Sequence, residues 1–291
     1  LNLISPEAFL SPRVFVVLPV HNRVKITKSF ARFLKDQTWQ NWTLVLVDDG
    51  STDGTAGEVS SILGDRVSVV RGDGNLWWAG GVNAGLSRVG ELGPEASDLV
   101  LIINDDVEFG PEFVSAGVKL IADRPGSIAL AKSTDSETGE VVDAGSTICW
   151  PIFKIFPVGR DSDINIAPSR GLLMTWSDLG GIGTFRADVL PHYCSDSEFT
   201  YRAWMKGFRF LTSDSFKLRM HFRETGIARI KASGVSDYLK KLFSMRSIHN
   251  PVFLSRFVLL SCPLLYRLPA LLKIWISTFA KLVLFILGKA F

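Results

Sequence analysis

Cysteine is scarce: the three in 291 residues, Cys149, Cys194 and Cys262, are far apart and odd in number. With no CxxC pair and no metal-knuckle spacing, neither a disulfide framework nor a structural zinc site organises the chain, and a reducing, cytosolic setting is expected. A strong charge of either sign is also lacking, since the formal net charge is only +3. That excludes the broad basic surface that nucleic acid requires, so no nucleic-acid partner is expected. The first twelve residues show no basic stretch followed by a long apolar run, so no signal peptide is expected. No internal repeat is visible. The Asn41-Trp42-Thr43 glycosylation acceptor sits at the edge of an apolar strand pattern and carries little weight.

What the chain does contain is an alternation of short apolar segments and helical patterns. Residues 13–19 read RVFVVLP, a β-branched run ended by proline, which predicts a buried strand. Residues 25–37 place Ile26, Phe30, Phe33 and Leu34 at helical spacing. A second strand is expected over 43–47, ending in Asp48-Asp49-Gly50-Ser51, followed by a turn through Asp53 and Gly54 and a helix carrying Val59 and Ile62. A third strand covers 67–70, a glycine-rich loop through residue 85 leads into a helix, and a fourth strand over 99–103 ends in Asn104-Asp105-Asp106. Strand–helix alternation of this kind predicts a parallel α/β sheet with right-handed crossovers. Residues 127–170 are less regular and read as loops and short strands, and a helix containing Phe199, Trp204 and Met205 should end at Gly207.

The polar clusters all follow strands. Ligands of open α/β sheets bind beyond the carboxyl ends of the strands, so His21-Asn22, Asp48-Asp49, residues 75–83 and Asp105-Asp106 should converge on one crevice. Asp105-Asp106 offers hard oxygen ligands suited to Mg²⁺ or Mn²⁺, which leave positions open for phosphate oxygens; a solvated turn is the plainer reading of the pair. The segment after Asp48 lacks the Glu of a calcium-binding loop, and nucleotide recognition by a carboxylate suits it better; Ser51 or Asp53 also suits a helix cap. Residues 75–85, NLWWAGGVNAG, match neither the dinucleotide fingerprint nor a P-loop. Their glycines allow close backbone approach to a ligand, and Trp77 and Trp78 offer faces for a sugar or base, or simply core packing.

Taken in order, Pro19-Val20-His21-Asn22, Asp48 to Asp53, residues 75–85 and Asn104-Asp105-Asp106 resemble family 2 glycosyltransferases, particularly the bacterial rhamnosyltransferase-like branch that builds surface polysaccharides. The resemblance spans about residues 13–229. It implies a GT-A fold, a Rossmann-like, mostly parallel sheet flanked by helices, and an inverting transfer from a nucleotide-diphosphate sugar. It also implies that Pro19, His21 and Asn22 lie against the nucleotide, that Asp49 bonds the base and that Asp105 touches the ribose. Gly80, Gly81 and Asn83 would line the donor pocket, and Asp106 would bind a divalent cation, Mg²⁺ or Mn²⁺, bridging the diphosphate. Asn104 stands where many relatives carry a first Asp, one carboxylate fewer. Asp196, in Ser195-Asp196 where many relatives have Glu-Asp, would be the catalytic base, with Glu198 in reserve, and His221 would complete the metal or diphosphate site. The rhamnosyl likeness points to a dTDP- or UDP-sugar. Two alternatives stay open: a nucleotidyltransferase of similar architecture, which would want a basic triphosphate loop that residues 19–23 do not provide, and a non-catalytic sugar-nucleotide-binding subunit.

Past about residue 235 the composition changes. Lys240, Lys241 and Arg246 form a basic stretch, and residues 253–287 are strongly apolar, interrupted by Arg256, Pro263, Arg267, Pro269, Lys273 and Lys281. The longest charge-free run there, 257–266, is shorter than the ~20 residues a bilayer-spanning helix needs. At about 100° per residue Lys273, Ser277, Lys281 and Gly288 share one stripe, with Trp275, Phe279, Leu282 and Ile286 opposite. The expected organisation is a catalytic domain over 1–235 and a segment over 236–291 of apolar helices lying in the membrane interface, with lysines snorkelling to headgroups. A helix packed on protein is the competing reading. The expected location is the cytoplasmic face of the inner membrane, with a saccharide or lipid-linked acceptor.

Overall fold

The computed structural model describes residues 11–220 and 232–287. Its centre is a seven-stranded sheet built around β1 (Val14–Val20), whose residues are almost wholly buried. β1 pairs in parallel with β2 (Trp42–Asp48) on one side and β4 (Leu99–Ile102) on the other, and β3 (Val67–Arg71) extends the β2 side. The run continues beyond β4 with β10 (Leu172–Thr175), β5 (Ser127–Leu130) and β11 (Arg209–Leu211). Only β10 is antiparallel to its neighbours. Near-continuous apolar runs such as VFVVLPV and LVLI suit strands covered on both faces. β3 is at the edge and correspondingly only half-buried.

Helices α1 (Val24–Lys35), α2 (Thr55–Leu63) and α3 (Trp77–Glu91) make the crossovers between the first four strands. α1 and α2 begin close together: the Asp53 carboxylate accepts from the backbone of Val24 and of Thr55, while the formal cap of α2 is Gly54, in the left-handed region at φ +82°.

The expected loop over 75–85 is a correction, because α3 begins at Trp77. It has no local side-chain cap. The Asp49 carboxylate, reaching over from the end of β2, instead accepts from the backbone N–H of Leu76 (3.0 Å) and Trp77 (3.3 Å). Glycines within α3 let the helix settle on the sheet. A β-carbon at Gly81 would come within 2.9 Å of Pro19 Cβ, and one at Gly85 within 2.5 Å of Val17 Cγ1.

Residues 127–170 hold short strands, as expected, including β6 (Lys132–Asp135), and the hairpin of β8 (Ser146–Cys149) and β9 (Lys154–Pro157), joined by a 3-10 turn over Trp150–Ile152. Helix α5 (Trp176–Ile182) follows, then α6 (Ser195–Met205), which ends before Gly207 at φ +91°.

The last elements are α7 (Val235–Leu242), α8 (Pro251–Ser261) and α9 (Leu264–Ile286). α8 and α9 share a hydrophobic cluster with Ile148, Trp150, Leu190 and Tyr201. Trp150 donates its indole N–H to Tyr201 Oη, which gives this buried polar pair a partner within the cluster. The charges that break the apolar pattern do not break the helix: α9 runs 23 residues through Pro269. That is long and apolar enough to cross a membrane by length and composition. Lys273 also departs from expectation. Its Nζ donates to the carbonyls of Ile152 (2.7 Å) and Phe153 (3.1 Å), fastening α9 to the turn between β8 and β9 rather than reaching outward. Of α9, Ala270 and Ile274 are buried, whereas Leu264 (79% exposed), Phe279 (67%) and Ile276 (65%) face away from the protein.

Candidate active site

Strand order reverses at β1: the chain proceeds outward through β2 and β3 and returns to β4 on the other side. The crevice at such a switch point is where α/β sheets bind ligands. A cavity of about 780 Å³ opens there, within the range of small-molecule sites. Pro19, His21, Asn22, Arg23, Asp49, Gly74, Trp77, Trp78, His192, Tyr193 and Arg246 are among its lining residues.

The wall from β1 is locked to the loop after β2. His21 Nδ1 donates to the Asp49 carbonyl (2.6 Å), and Asn22 Nδ2 donates to His21 Nε2 (3.1 Å). Asn22 in turn accepts from Thr52 N and gives its own N–H to Ser51 Oγ. This fixes the imidazole tautomer and ring plane. Asn22 (φ +50°) and Trp77 (φ +56°) both adopt left-handed backbone. For a residue as bulky as Trp77 that conformation is strained by about 1–3 kcal/mol, and such strain gathers at binding sites. The Asp49 carboxylate, besides holding the start of α3, accepts from Gly74 N (2.8 Å), and a β-carbon at Gly72 would collide with it.

The acidic pair after β4 is met by a cation that the sequence reading missed. Arg23 forks between Asp105 Oδ1 (3.1 Å) and Asp106 Oδ2 (3.3 Å). Asp105 is buried and also accepts from Thr27 Oγ1 (2.7 Å); burial pushes its carboxyl above the usual range, with Arg23 and Thr27 opposing. Asp106 is the more open of the two. Asn104 points elsewhere, accepting from Trp78 Nε1 (3.0 Å), so its amide orients a cavity wall. The signal for Arg23 was its place, one residue beyond His21-Asn22 on the same strand-end turn.

The remaining expected residues fall in different places. Gly80 and Gly81 lie on α3 and are not among the cavity's lining residues; Gly81 faces Pro19. Asn83 also lies on α3, and its amide makes a reciprocal pair with the backbone of Phe185 (2.8 and 3.0 Å), bracing that segment. Asp196 sits in the first turn of α6, accepting from Ser197 N (2.8 Å). Burial raises its pKa above the usual carboxylate range, Arg170 opposes, and the negative charge of Asp143 adds to the rise. It does not line the cavity itself, but Tyr193 does, and burial raises that phenol's pKa with the nearby Asp196 charge adding to the rise. Glu198 is buried and bound by Arg186 and by Nε and Nη2 of Arg202, which commits it to packing. His221 lies outside the described residues. Among the described residues no group of three His, Cys, Asp or Glu forms a ready metal cage. Burial, reinforced by Asp196, pushes the Cys194 thiol up to about 12, so it is not a nucleophile.

Residues 15–167 match the sequence model described as glycosyl transferase family 2. Over 80 residues the chain is 30% identical to EpsE of Bacillus subtilis (strain 168), whose name carries a glycosyltransferase assignment; the match spans 26% of this chain and 29% of EpsE. Among solved structures it superposes on the mannosyltransferase PcManGT of Pyrobaculum calidifontis, in complex with GDP-Man and Mn²⁺, with a TM-score of 0.57 and 18% identity, covering 95% of this chain and 81% of that one. Residues 1–349 of S. aureus TarS superpose at 0.58 with 16% identity, covering 86% and 81%. GalNAc-T7 with UDP, GalNAc and Mn²⁺ superposes at 0.60 with 12% identity, covering 88% and 52%.

Proposed function

The chain belongs to glycosyl transferase family 2 and has the GT-A fold, and from that membership we propose that it is an inverting glycosyltransferase using a nucleotide-diphosphate sugar. The observation that carries the proposal is the convergence of His21, Asn22, Arg23 and Asp49 on one switch-point cavity, with the Asp105-Asp106 pair joined to it through Arg23 rather than lining it. His21 and Asp49 would hold the base side of the donor, and Asp105 the ribose. Pro19, Trp77 and Trp78 would form the walls, and Gly81 and Gly85 would contribute by holding α3 against β1.

Asp106 suits a divalent cation of the Mg²⁺ or Mn²⁺ kind, which takes one or two protein carboxylates and fills its other positions with phosphate oxygens and water. The Arg23 guanidinium already marks this as a place for positive charge. When bound, such a cation would neutralise the charge that develops on the departing diphosphate. Asp196 would take the proton from the acceptor hydroxyl as its oxygen attacks the anomeric carbon from the face opposite the diphosphate. One base and one displacement invert the configuration. The elevated pKa of Asp196 makes it a stronger base than an exposed carboxylate.

Residues 1–235 would carry the catalytic unit and 236–291 the helical segment that meets the cytoplasmic face of the membrane. The acceptor would be a saccharide or lipid-linked sugar of a surface polysaccharide, and a dTDP- or UDP-sugar is the preferred donor.

The test is a panel of nucleotide sugars with MgCl₂ or MnCl₂, reading equilibrium binding and slow release of nucleoside diphosphate. One donor should bind in a metal-dependent manner, and Asp106→Ala should abolish that dependence. A folded protein that binds no donor would favour a non-catalytic subunit.

A further inference from the structure

The donor cavity has a wall from outside the catalytic unit. Arg246, on the connection between α7 and α8, lines it beside His192 and Tyr193. The connection is pinned by Asn250, which is buried, donates to the carbonyls of Phe243 (3.0 Å) and Ser244 (3.2 Å), and accepts from Val252 N (3.0 Å). Arg256, on α8, further ties this region to the 185–194 segment through Val189 O (3.0 Å). Arg246 is thus carried on an anchored backbone.

Among the described residues no carboxylate lies in ion-pair reach of Arg246, whereas Arg23, the other arginine of the cavity, is engaged by Asp105 and Asp106. Arg246 is near enough to act on its neighbours: with burial, it lowers the pKa of His192, and it opposes the rise at Tyr193. This end of the cavity therefore presents a guanidinium, an imidazole and a phenol, groups suited to an anion, with Asp196 acting on the phenol. A surface arginine needs no partner, but this one faces a concavity that the foregoing reading assigns to a nucleoside diphosphate.

We propose that Arg246 binds the diphosphate of the ligand in this cavity, so that the segment leading into the apolar helices is part of the active site. The inference rests on the donor-site reading above. A guanidinium suits a diphosphate because its planar fork meets two phosphate oxygens at once.

Two diphosphates are chemically eligible, that of the donor and that of a lipid-linked acceptor, and one titration series separates them. UDP, GDP and dTDP, the matching nucleosides, and farnesyl diphosphate would each be titrated into the full chain with MnCl₂, comparing wild type with Arg246→Met and Arg246→Lys. For the nucleoside diphosphate that wild type binds, Arg246→Met should weaken affinity by about tenfold or more, as expected for hydrogen bonds to a charged partner. Arg246→Lys should recover part of the loss, and the nucleoside should bind all variants alike. A loss confined to farnesyl diphosphate would assign the arginine to the acceptor's diphosphate. Unchanged affinity for every diphosphate in Arg246→Met would overturn the inference while leaving the donor site standing. A wild type that binds no nucleoside diphosphate would instead remove the donor-site reading, and the inference with it.

Discussion

At the scale of single residues, the site is organised by carboxylates with different neighbours. Asp105 and Asp106 share the Arg23 fork, Asp49 accepts from the backbone N–H groups of Gly74, Leu76 and Trp77, and Asp196 is buried with Arg170 and Asp143 as charges acting on it. The last arrangement yields a pH prediction. As the proposed base Asp196 would act only when ionised, and burial holds its pKa above the ordinary carboxylate range. Activity should therefore fall on acidification at a higher pH than an exposed carboxylate would give. Asp143 raises that pKa and Arg170 lowers it. In pH profiles of kcat/KM, Asp143→Asn should move the acid limb to lower pH and Arg170→Met should move it to higher pH. Shifts in the opposite directions would exclude Asp196 as the titrating base.

The residue scale is also where the sequence was most and least informative. His21, Asn22 and Asp49 could be placed on one cavity, and Asp105 and Asp106 beside it through Arg23, because each lies at a strand end and the rule for strand ends is local. Arg246 and His192 could not, because they reach the cavity from remote parts of the chain with no pattern to mark them. Asn104 could be seen to depart from the familiar acidic pattern, but its use as an acceptor for Trp78 depends on a helix whose start was itself misplaced.

At the scale of elements, α3 shows why. A helix start is usually announced by a capping side chain next to it, and α3 has none. Asp49 accepts its first N–H groups from the end of another strand, and a carboxylate there also complements the positive end of the helix dipole. The glycines that made the segment look like a loop are packing positions. Gly85→Val should force α3 away from Val17 and Val47 and destabilise the protein by about 1–3 kcal/mol. In urea denaturation the midpoint should drop with little change in slope; an unchanged midpoint would mean that the contact between α3 and the sheet is loose. The strands were easier, since buried parallel strands are apolar throughout, but nothing in the four residues of β10 announces that it runs against its neighbours.

At the scale of the whole molecule, α9 has two unlike faces. One packs through Ala270 and Ile274 and is held by Lys273; the other presents Leu268, Leu272, Ile276 and Phe279. A helix of this length extends about 35 Å at about 1.5 Å per residue, so the exposed face is a long stripe. Replacing Leu268, Ile276 and Phe279 together by Gln should leave thermal stability near wild type, because none is buried, and should abolish co-sedimentation with vesicles containing anionic lipid. Retained co-sedimentation would place membrane contact elsewhere, and no co-sedimentation of the wild type would leave the stripe as a protein-binding surface.

The order of the central sheet has a consequence for how the chain acquires its shape. β10 is inserted between β4 and β5, two strands that precede it in sequence and touch each other only through it. Until β10 is available, the LVLI edge of β4 has no strand beside it, and an unpaired apolar edge invites pairing with other chains. Such distant pairing is also slow to form. A fragment covering residues 11–170, which ends before β10 and so leaves that edge open, should therefore aggregate even though it contains nearly every residue assigned to the nucleotide.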